Sequence, residues 1–415
     1  MLSAGFSFSK LKNNVSIDGV DVGGLNVFDA EKRVNDNFIE KLKTKTFSLI
    51  IDEHIYNFYY PDIAADTNIS QTVRIAEKER KNNVNYSISA KYYIRDLDKI
   101  IDAAAYEISA APKDAQVAFN PNGYNMFQIT DGVNGKQLNK RKLAIEIQTA
   151  LNKGAEFLNF KCDIIYPKIN EEILRKSTYL RARFSTAFEN SSIERKHNIA
   201  LSLASVNGTV LEPDRQFSFN AVVGKRTEER GYKLAKIIIN GKFEDGIGGG
   251  VCQSSTTIYN CALLADLEII KYTRHTIPVS YVPLSFDAMV NSGGSDMAFK
   301  NDSGGYIFIK AYTRNDNAVA EIYGIKLPPG LKIERESILK NTLPAPPEKV
   351  EKDIKKEYPE LLPGQQLLTE NSREGYESEG YLNYYRYGVL EKRVLLRKDK
   401  YPPQRGLIIE GTNDG

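Results

Sequence analysis

The sequence predicts a multi-domain α+β protein. Three observations carry this. The chain has 415 residues, more than one ordinary hydrophobic core accommodates and enough for about two to four. A strand–helix–strand pattern occurs twice in the N-terminal part. Farther on, helical stretches are interspersed among strand-like ones over roughly a hundred and fifty residues, as in an α+β domain.

Taken in order, "DGVDVGGLN" at 18–26 matches "DGVNGKQLN" at 131–139. Each is followed by a helical pattern, "AEKRVNDNFIEKL" and "KLAIEIQTALNKG", and then by an alternating segment that starts at Phe47 or Phe160. Those two phenylalanines keep the same offset from their Asp-Gly-Val, so the two stretches read as copies. Between them "SAKYYIRDLDKIIDAAAYEISA" has helical periodicity, with Ile94, Leu97, Ile101 and Ala105 near one face. "APKDAQVAFNPNGYNMFQITDGVNG" reads as strands joined by Asn-Gly turns. "SIERKHNIALSLASVNG" gives a helix ending near Asn207-Gly208, and "KLAKIIINGKFEDGIGGG" a strand with Asn-Gly and Asp-Gly turns. A helix from Val251 precedes strands at "EIIKYTRHTIPVSYV", "MAFKN", "YIFIKAYTR" and "AVAEIYGI". Prolines then cluster in "LPAPPEKVEKDIKKEYPELLPG", a stiff connector. The tail alternates apolar and polar residues, as in a thin, elongated β module. The expected boundaries are 1–70 for a first repeat-like unit and 71–172 for a second α+β domain. A main α+β domain follows at 173–326, the connector at 327–364 and the β module at 365–415.

Composition narrows the partners. A net charge of +3 provides no concentrated basic surface, which argues against nucleic acid. Three cysteines, Cys162, Cys252 and Cys261, make no disulfide framework. On one helix, Cys252 and Cys261 would stand roughly 13 Å apart, beyond the about 7 Å that a disulfide spans. His54, His197 and His275 are scattered and no C-x-x-C occurs, so no metal site is expected. No apolar run is long enough to cross a membrane.

The densest signal is "GGGVCQSSTTIYNCALLADLE" at 248–268. Either the glycines make a tight turn and the cysteine is filler, or the turn presents a thiolate. Ile258, Cys261, Ala262 and Ala265 form an inward stripe. Cys252 shares a polar face with Ser255, Thr256 and Tyr259, and lies in the first turn, where the helix dipole favours a thiolate. Glycine amides near Gly249 and Gly250 could converge on an oxyanion. A thiolate nucleophile needs a base. His275, at the head of a strand, is the best candidate, while His197 suits a solvated helix face and His54 an exposed strand. The group orienting the imidazole is Asp287, Asp296 or a backbone carbonyl; Asp296 is taken as the third catalytic residue. Gln253, Ser255 and Tyr281 complete the candidate pocket. The bland alternative is a structural turn and a hydrogen-bonded histidine.

The run "FSFNAVVGKRTEERGYKLAKIIINGK…GIGGGVCQSSTTIYNCALLADLEI…RHTIPVSYVP…SDMAFKN" resembles the VanW domain. "DGVDVGGLNVFDA" and "FQITDGVNGKQLN" resemble the peptidoglycan-binding domains that precede VanW domains, and the tail resembles the G-five module. The resemblance implies an extracytoplasmic protein of a Gram-positive-type cell wall, held by one N-terminal membrane helix ending just before "VSIDGVDVGG". It also implies an activity: some members act as L,D-transpeptidases through a cysteine. Carried to this sequence, the nucleophile is Cys252 and the base His275, without a cofactor. The donor is a peptidoglycan tetrapeptide stem and the acceptor an amine, giving three-to-three links. An L,D-carboxypeptidase, a cysteine endopeptidase with the same dyad, and a non-catalytic wall-binding scaffold are the alternatives. The His…Ser-x-Gly-Cys signature of YkuD-type L,D-transpeptidases is lacking.

Overall fold

The computed structural model describes residues 9–239 and 242–412. The chain divides into two compact units, residues 1–114 with 132–168, and residues 115–131 with 169–415.

In the first unit the shared Leu-Asn of the two copies proves to be a shared helix cap. Asn26 accepts from the Asp29 amide at 2.9 Å to start the Val27–Lys43 helix, and Asn139 from the Lys142 amide at 3.2 Å to start Lys140–Asn152. Each side chain satisfies an amide that the helix leaves unpaired. The strands that follow, Phe47–Ile51 and Phe157–Phe160, pair with each other in parallel, with Ile51 opposite Phe160. The copies therefore share a sheet and a core, in which Phe47, Leu49 and Ile51 pack with Leu143, Ile147, Leu151 and Phe160. Phe160 closes its strand rather than opening it. The second helix has 13 residues against 17 in the first, so its strand begins earlier after the turn. The boundary expected after residue 70 falls inside the Ile69–Glu79 helix, whose Val73 and Ala76 pack on Val15, Ile17, Ala30 and Val34. Ile94 belongs to a strand, Ala90–Ile94, paired with Ile63–Thr67; the helix starts only at Leu97.

The second unit is built on a four-stranded antiparallel sheet in the order Tyr179–Ala187, Asn317–Gly324, Ile307–Arg314, Thr209–Leu211. The helices Ile193–Val206 and Val251–Leu264 pack on it through Ile199, Leu203, Ile258 and Cys261 against Ile309, Ala320 and Ile322. Asn207 caps the first helix and Gly208 turns the chain at φ +92°. A hairpin, Gln116–Phe119 with Phe127–Thr130, stacks Phe119 and Phe127 on Phe308 at 5.2 and 5.0 Å. Leu234–Ile239 and Lys242–Ile247 form another hairpin. Its expected Asn240-Gly241 turn lies outside the described residues. The expected Asp245-Gly246 turn does not form; Asp245 pairs across the hairpin with Lys236 at 3.1 Å.

Two expectations fail in this unit for tertiary reasons. The strand expected through His275 stops at Lys271, and residues 272–297 follow an irregular path. The expected connector at 327–364 begins with a 13-residue strand, Leu331–Leu343, paired along its length with Gly375–Arg386, which in turn pairs with Val389–Tyr401. The prolines follow that strand rather than replace it. Ile333 and Leu382 of this sheet belong to the same core as Ile258 and Cys261. Ser285 and Ser378 are hydrogen-bonded at 2.8 Å, and Tyr384 donates to Asp266 at 3.0 Å. The C-terminal sheet is thus fastened to the helix and to the irregular segment. Among the described residues no helix is long and apolar enough to cross a membrane.

Candidate active site

The Val251–Leu264 helix is buried almost all round: Gln253, Ser254, Ser255, Thr256, Tyr259 and Asn260 are as inaccessible as its apolar residues. A helix with a polar face that is nonetheless buried needs partners for that face. The irregular segment and the C-terminal sheet supply several. Asn260 donates to the Phe286 carbonyl at 2.8 Å and accepts from Arg335; the Thr256 hydroxyl accepts from the Ala288 amide at 3.0 Å. Cys252 is half-buried and lines a cleft of about 1080 Å³ together with Val251 and Gln253.

His275 and Cys252 line this cleft together, near enough for each to bias the other's ionisation. The His275 Nδ1 lies 2.7 Å from Asp287 Oδ2, which also accepts from the His275 backbone amide at 2.6 Å. Nε2 is therefore the ring nitrogen left for the thiol. Asp287 is held from its other side: Oδ1 accepts from Arg397 Nη2 at 2.6 Å and from the Tyr401 hydroxyl at 2.8 Å, and its backbone carbonyl from Arg397 Nη1 at 2.7 Å. Arg397 and Asp287 are both withdrawn from solvent, at 1% and 2% side-chain exposure.

The electrostatics follow from this chain of contacts. Burial disfavours the imidazolium, but the hydrogen bonds and charges of Asp287 and Cys252 outweigh it and raise His275 to about 9. Burial likewise disfavours the thiolate, yet the hydrogen bond and charge of His275, with help from Arg226, bring Cys252 below its ordinary value. Asp287 is buried too, and His275 and Arg397 hold it well below the usual carboxylate range. The contacts favour the charged forms, thiolate, imidazolium and carboxylate, in a row. The Cys252 Sγ also lies 3.3 Å from the Val290 carbonyl oxygen, a partner for the thiol form.

The structure brings together Cys252, His275, Gly250, Gln253 and Tyr281 in one cleft. Burial, together with the neighbouring charge of Cys252, raises the Tyr281 phenol. Asp296 stands elsewhere. It accepts from the Ser218 hydroxyl at 2.6 Å and from the Asn220 and Met297 amides at 2.9 and 2.8 Å, fixing a turn. Asp287 takes the place expected of it. Gly249 packs against backbone: a Cβ there would meet the Ala235 carbonyl at 2.7 Å. Gln253 is used up internally, accepting from Arg195 at 2.8 Å and donating to Thr186 and Ala187 at 3.0 and 2.8 Å. Ser255 is fully buried and faces no cleft. His197 meets the Gly231 carbonyl at 2.9 Å and His54 lies in the first unit, 3.9 Å from Glu107. Arg195, Arg226, Arg397 and Tyr401 are the site residues that sequence reasoning missed. The first two stood within quoted stretches, "SIERKH" and "GKRTEERGY", but surface arginines look the same in sequence.

Residues 194–323 match the family model described as "VanW like protein", and residues 56–158 the model described as "Putative peptidoglycan binding domain". The chain is 41% identical over 160 residues to "Uncharacterized protein YoaR" of Bacillus subtilis (strain 168), covering 38% of this chain and 53% of that protein. It is 28% identical over 161 residues to "Vancomycin B-type resistance protein VanW" of Enterococcus faecalis (strain ATCC 700802 / V583), covering 37% and 58%. The chain thus spans little more than half the length of these relatives. Among solved structures, the IgA1 protease G5 domain matches 21% of this chain and 96% of its own, at 15% identity and a TM-score of 0.15. The G5 domain of HP0197 matches 20% and 97%, at 17% identity and a TM-score of 0.12. Residues 194–323 are thus similar to a VanW-like domain; Cys252, His275 and Asp287 lie within that stretch, while Arg397 and Tyr401 lie beyond its end.

Proposed function

We infer that this protein is a cysteine-dependent L,D-transpeptidase acting on peptidoglycan stems at the outer face of the cell membrane. The observation that carries the reading is the row Cys252–His275–Asp287 opening into a cleft, with His275 hydrogen-bonded to Asp287 and lining the cleft beside Cys252. A thiolate beside an imidazolium, itself oriented by a buried carboxylate, is equipped for acyl transfer. The VanW-like domain and the adjoining peptidoglycan-binding-type match support peptidoglycan as the partner. An N-terminal membrane anchor belongs to the same reading.

The Cys252 thiolate attacks the carbonyl of the diaminopimelate residue in a tetrapeptide donor. The amide of Cys252, which has no hydrogen-bond partner among the described residues, donates to the oxyanion. His275 Nε2 gives its proton to the departing D-alanine nitrogen as the C–N bond breaks and the thioester forms. Neutral His275 then takes a proton from an acceptor amine. The amine attacks the thioester, the C–S bond breaks, and thiolate and imidazolium are restored. Asp287 keeps Nδ1–H in place throughout. Water as acceptor gives an L,D-carboxypeptidase. Purified protein incubated with disaccharide-tetrapeptide tests the reading: cross-linked dimers are expected, shortened monomers mean hydrolysis, and no product with intact binding means a scaffold.

A further inference from the structure

The three glycines before Cys252 do more than turn the chain. A Cβ on Gly248, at φ +86°, would meet Arg226 Cβ and Cγ at 2.9 and 3.1 Å. A Cβ on Gly250, at φ +106°, would meet Arg195 Cγ at 2.9 Å. Each glycine therefore makes room for the stem of one arginine, and both arginines line the cleft around Cys252. Neither forms an ion pair with a carboxylate among the described residues, though the charge of Asp296 reaches Arg226 from a distance. Arg226 uses Nη1 alone, on the Asn220 side chain at 2.8 Å and the Gly224 carbonyl at 2.9 Å, which leaves Nε and Nη2. Arg195 uses Nη1 on Ser191 at 2.6 Å and Nη2 on Gln253 at 2.8 Å, which leaves Nε. Both guanidiniums are half-buried, and burial lowers both. Glu189, at the exposed rim of the same cleft, forms no ion pair with either. The Cys252 thiolate acts on both cations, but it is shared with the His275 imidazolium, which leaves two arginines held by neutral groups room for a further anion.

We propose that Arg226 and Arg195 form a subsite for a free carboxylate of the donor stem. The inference rests on the acyl-transfer reading above and deepens it: the cleft selects donors that carry a carboxylate close to the scissile bond. Two stem carboxylates fit that chemistry, that of the departing terminal residue and that on the far centre of diaminopimelate. A subsite for the terminal carboxylate favours cleavage at a chain end over cleavage within a stem.

Binding measured by calorimetry on the Cys252→Ala protein separates the subsite from the chemistry. Three ligands are compared: disaccharide-tetrapeptide, its terminal carboxamide, and its amidated-diaminopimelate form. One amide should bind about tenfold or more weaker than the acid, the usual scale for losing a charge-assisted hydrogen bond, and which one it is locates the carboxylate. Adding Arg226→Gln should weaken the acid by a similar factor and leave that amide nearly unchanged. Arg226→Lys should restore part of the loss. Equal binding of all three ligands to the unmutated arginines overturns the subsite, and this arm depends on no arginine variant folding. Equal weakening of acid and amide by Arg226→Gln also overturns it. Carboxylate-selective binding without product from the wild-type protein sinks the transpeptidase reading and leaves the subsite standing.

Discussion

Replacing Asp287 with Asn probes the row of hydrogen bonds with little change of volume. In the native site Oδ1 receives Arg397 and Tyr401, and Oδ2 receives the His275 ring and backbone amide. All four partners donate. The amide oxygen of Asn stays with the two donors on the Arg397 side, which turns its NH2 toward His275. That NH2 opposes the His275 amide and lets Nδ1 only accept, so the ring proton moves to Nε2. The neutral ring then holds a proton where it should receive one. The rise of His275 from 6.5 to about 9 corresponds to roughly 3 kcal/mol of preference for the imidazolium, shared between Asp287 and Cys252. Losing the Asp287 share and the correct tautomer should reduce turnover of disaccharide-tetrapeptide by roughly a hundredfold to ten-thousandfold. The pH profile of Cys252 alkylation by iodoacetamide should move upward. The fold should persist, because Arg397 keeps its ion pair with Asp399 at 2.7 Å. An Asp287→Asn protein with wild-type alkylation profile and turnover within about threefold would refute the reasoning.

Three further outcomes are expected. Arg397→Met leaves the Asp287 charge buried with one cationic partner fewer; with both groups almost fully withdrawn from solvent, the loss should be about 3–5 kcal/mol. In thermal unfolding that is a Tm lower by roughly 6–20 °C for a unit of this size; a change under about 2 °C contradicts it. Cys252 should alkylate faster than Cys261 and Cys162 at neutral pH, since burial pushes both of the others up, with Asp52 adding to the rise of Cys162. Equal labelling of all three in the folded protein counts against an activated thiolate. Stability should follow the three shifted members of the row. The raised His275 contributes fully below pH 6.5 and loses its contribution as pH climbs through about 9. The depressed Asp287 contributes above its ordinary 3.8 and loses its contribution as pH falls below that. The lowered Cys252 contributes above its ordinary 9.0 and so offsets the alkaline loss from His275; unfolding scans should fall off on the acid side, less steeply in Asp287→Asn.

The glycine–cysteine run was legible because its chemistry is local, glycines and a thiol at a helix start; His275 was reached through an expected strand that stops at Lys271. The Leu-Asn repeat was legible for the same reason, since a cap acts on the next turn of its own chain. What sequence reasoning could not supply came from distant segments. Asp287 and Asp296 sit in one irregular stretch without periodicity, so nothing in the sequence says which faces His275. Arg397 and Tyr401 arrive from the last long strand, more than a hundred residues after Asp287. Ser255 lies on a helix face that is polar by pattern and buried in fact, because a separate sheet and the 272–297 segment cover that side of the helix. The connector was misread since prolines mark its end while its first half pairs with a strand beyond them.

The central claim is that Cys252 carries an acyl group during the reaction. Intact-protein mass spectrometry of the wild-type protein, quenched in acid during turnover of disaccharide-tetrapeptide, tests it most directly. The account predicts an adduct equal to the donor minus alanine, mapped to Cys252, discharged by an acceptor amine and absent from Cys252→Ala. No adduct while product accumulates, or an adduct that survives in Cys252→Ala, would contradict it.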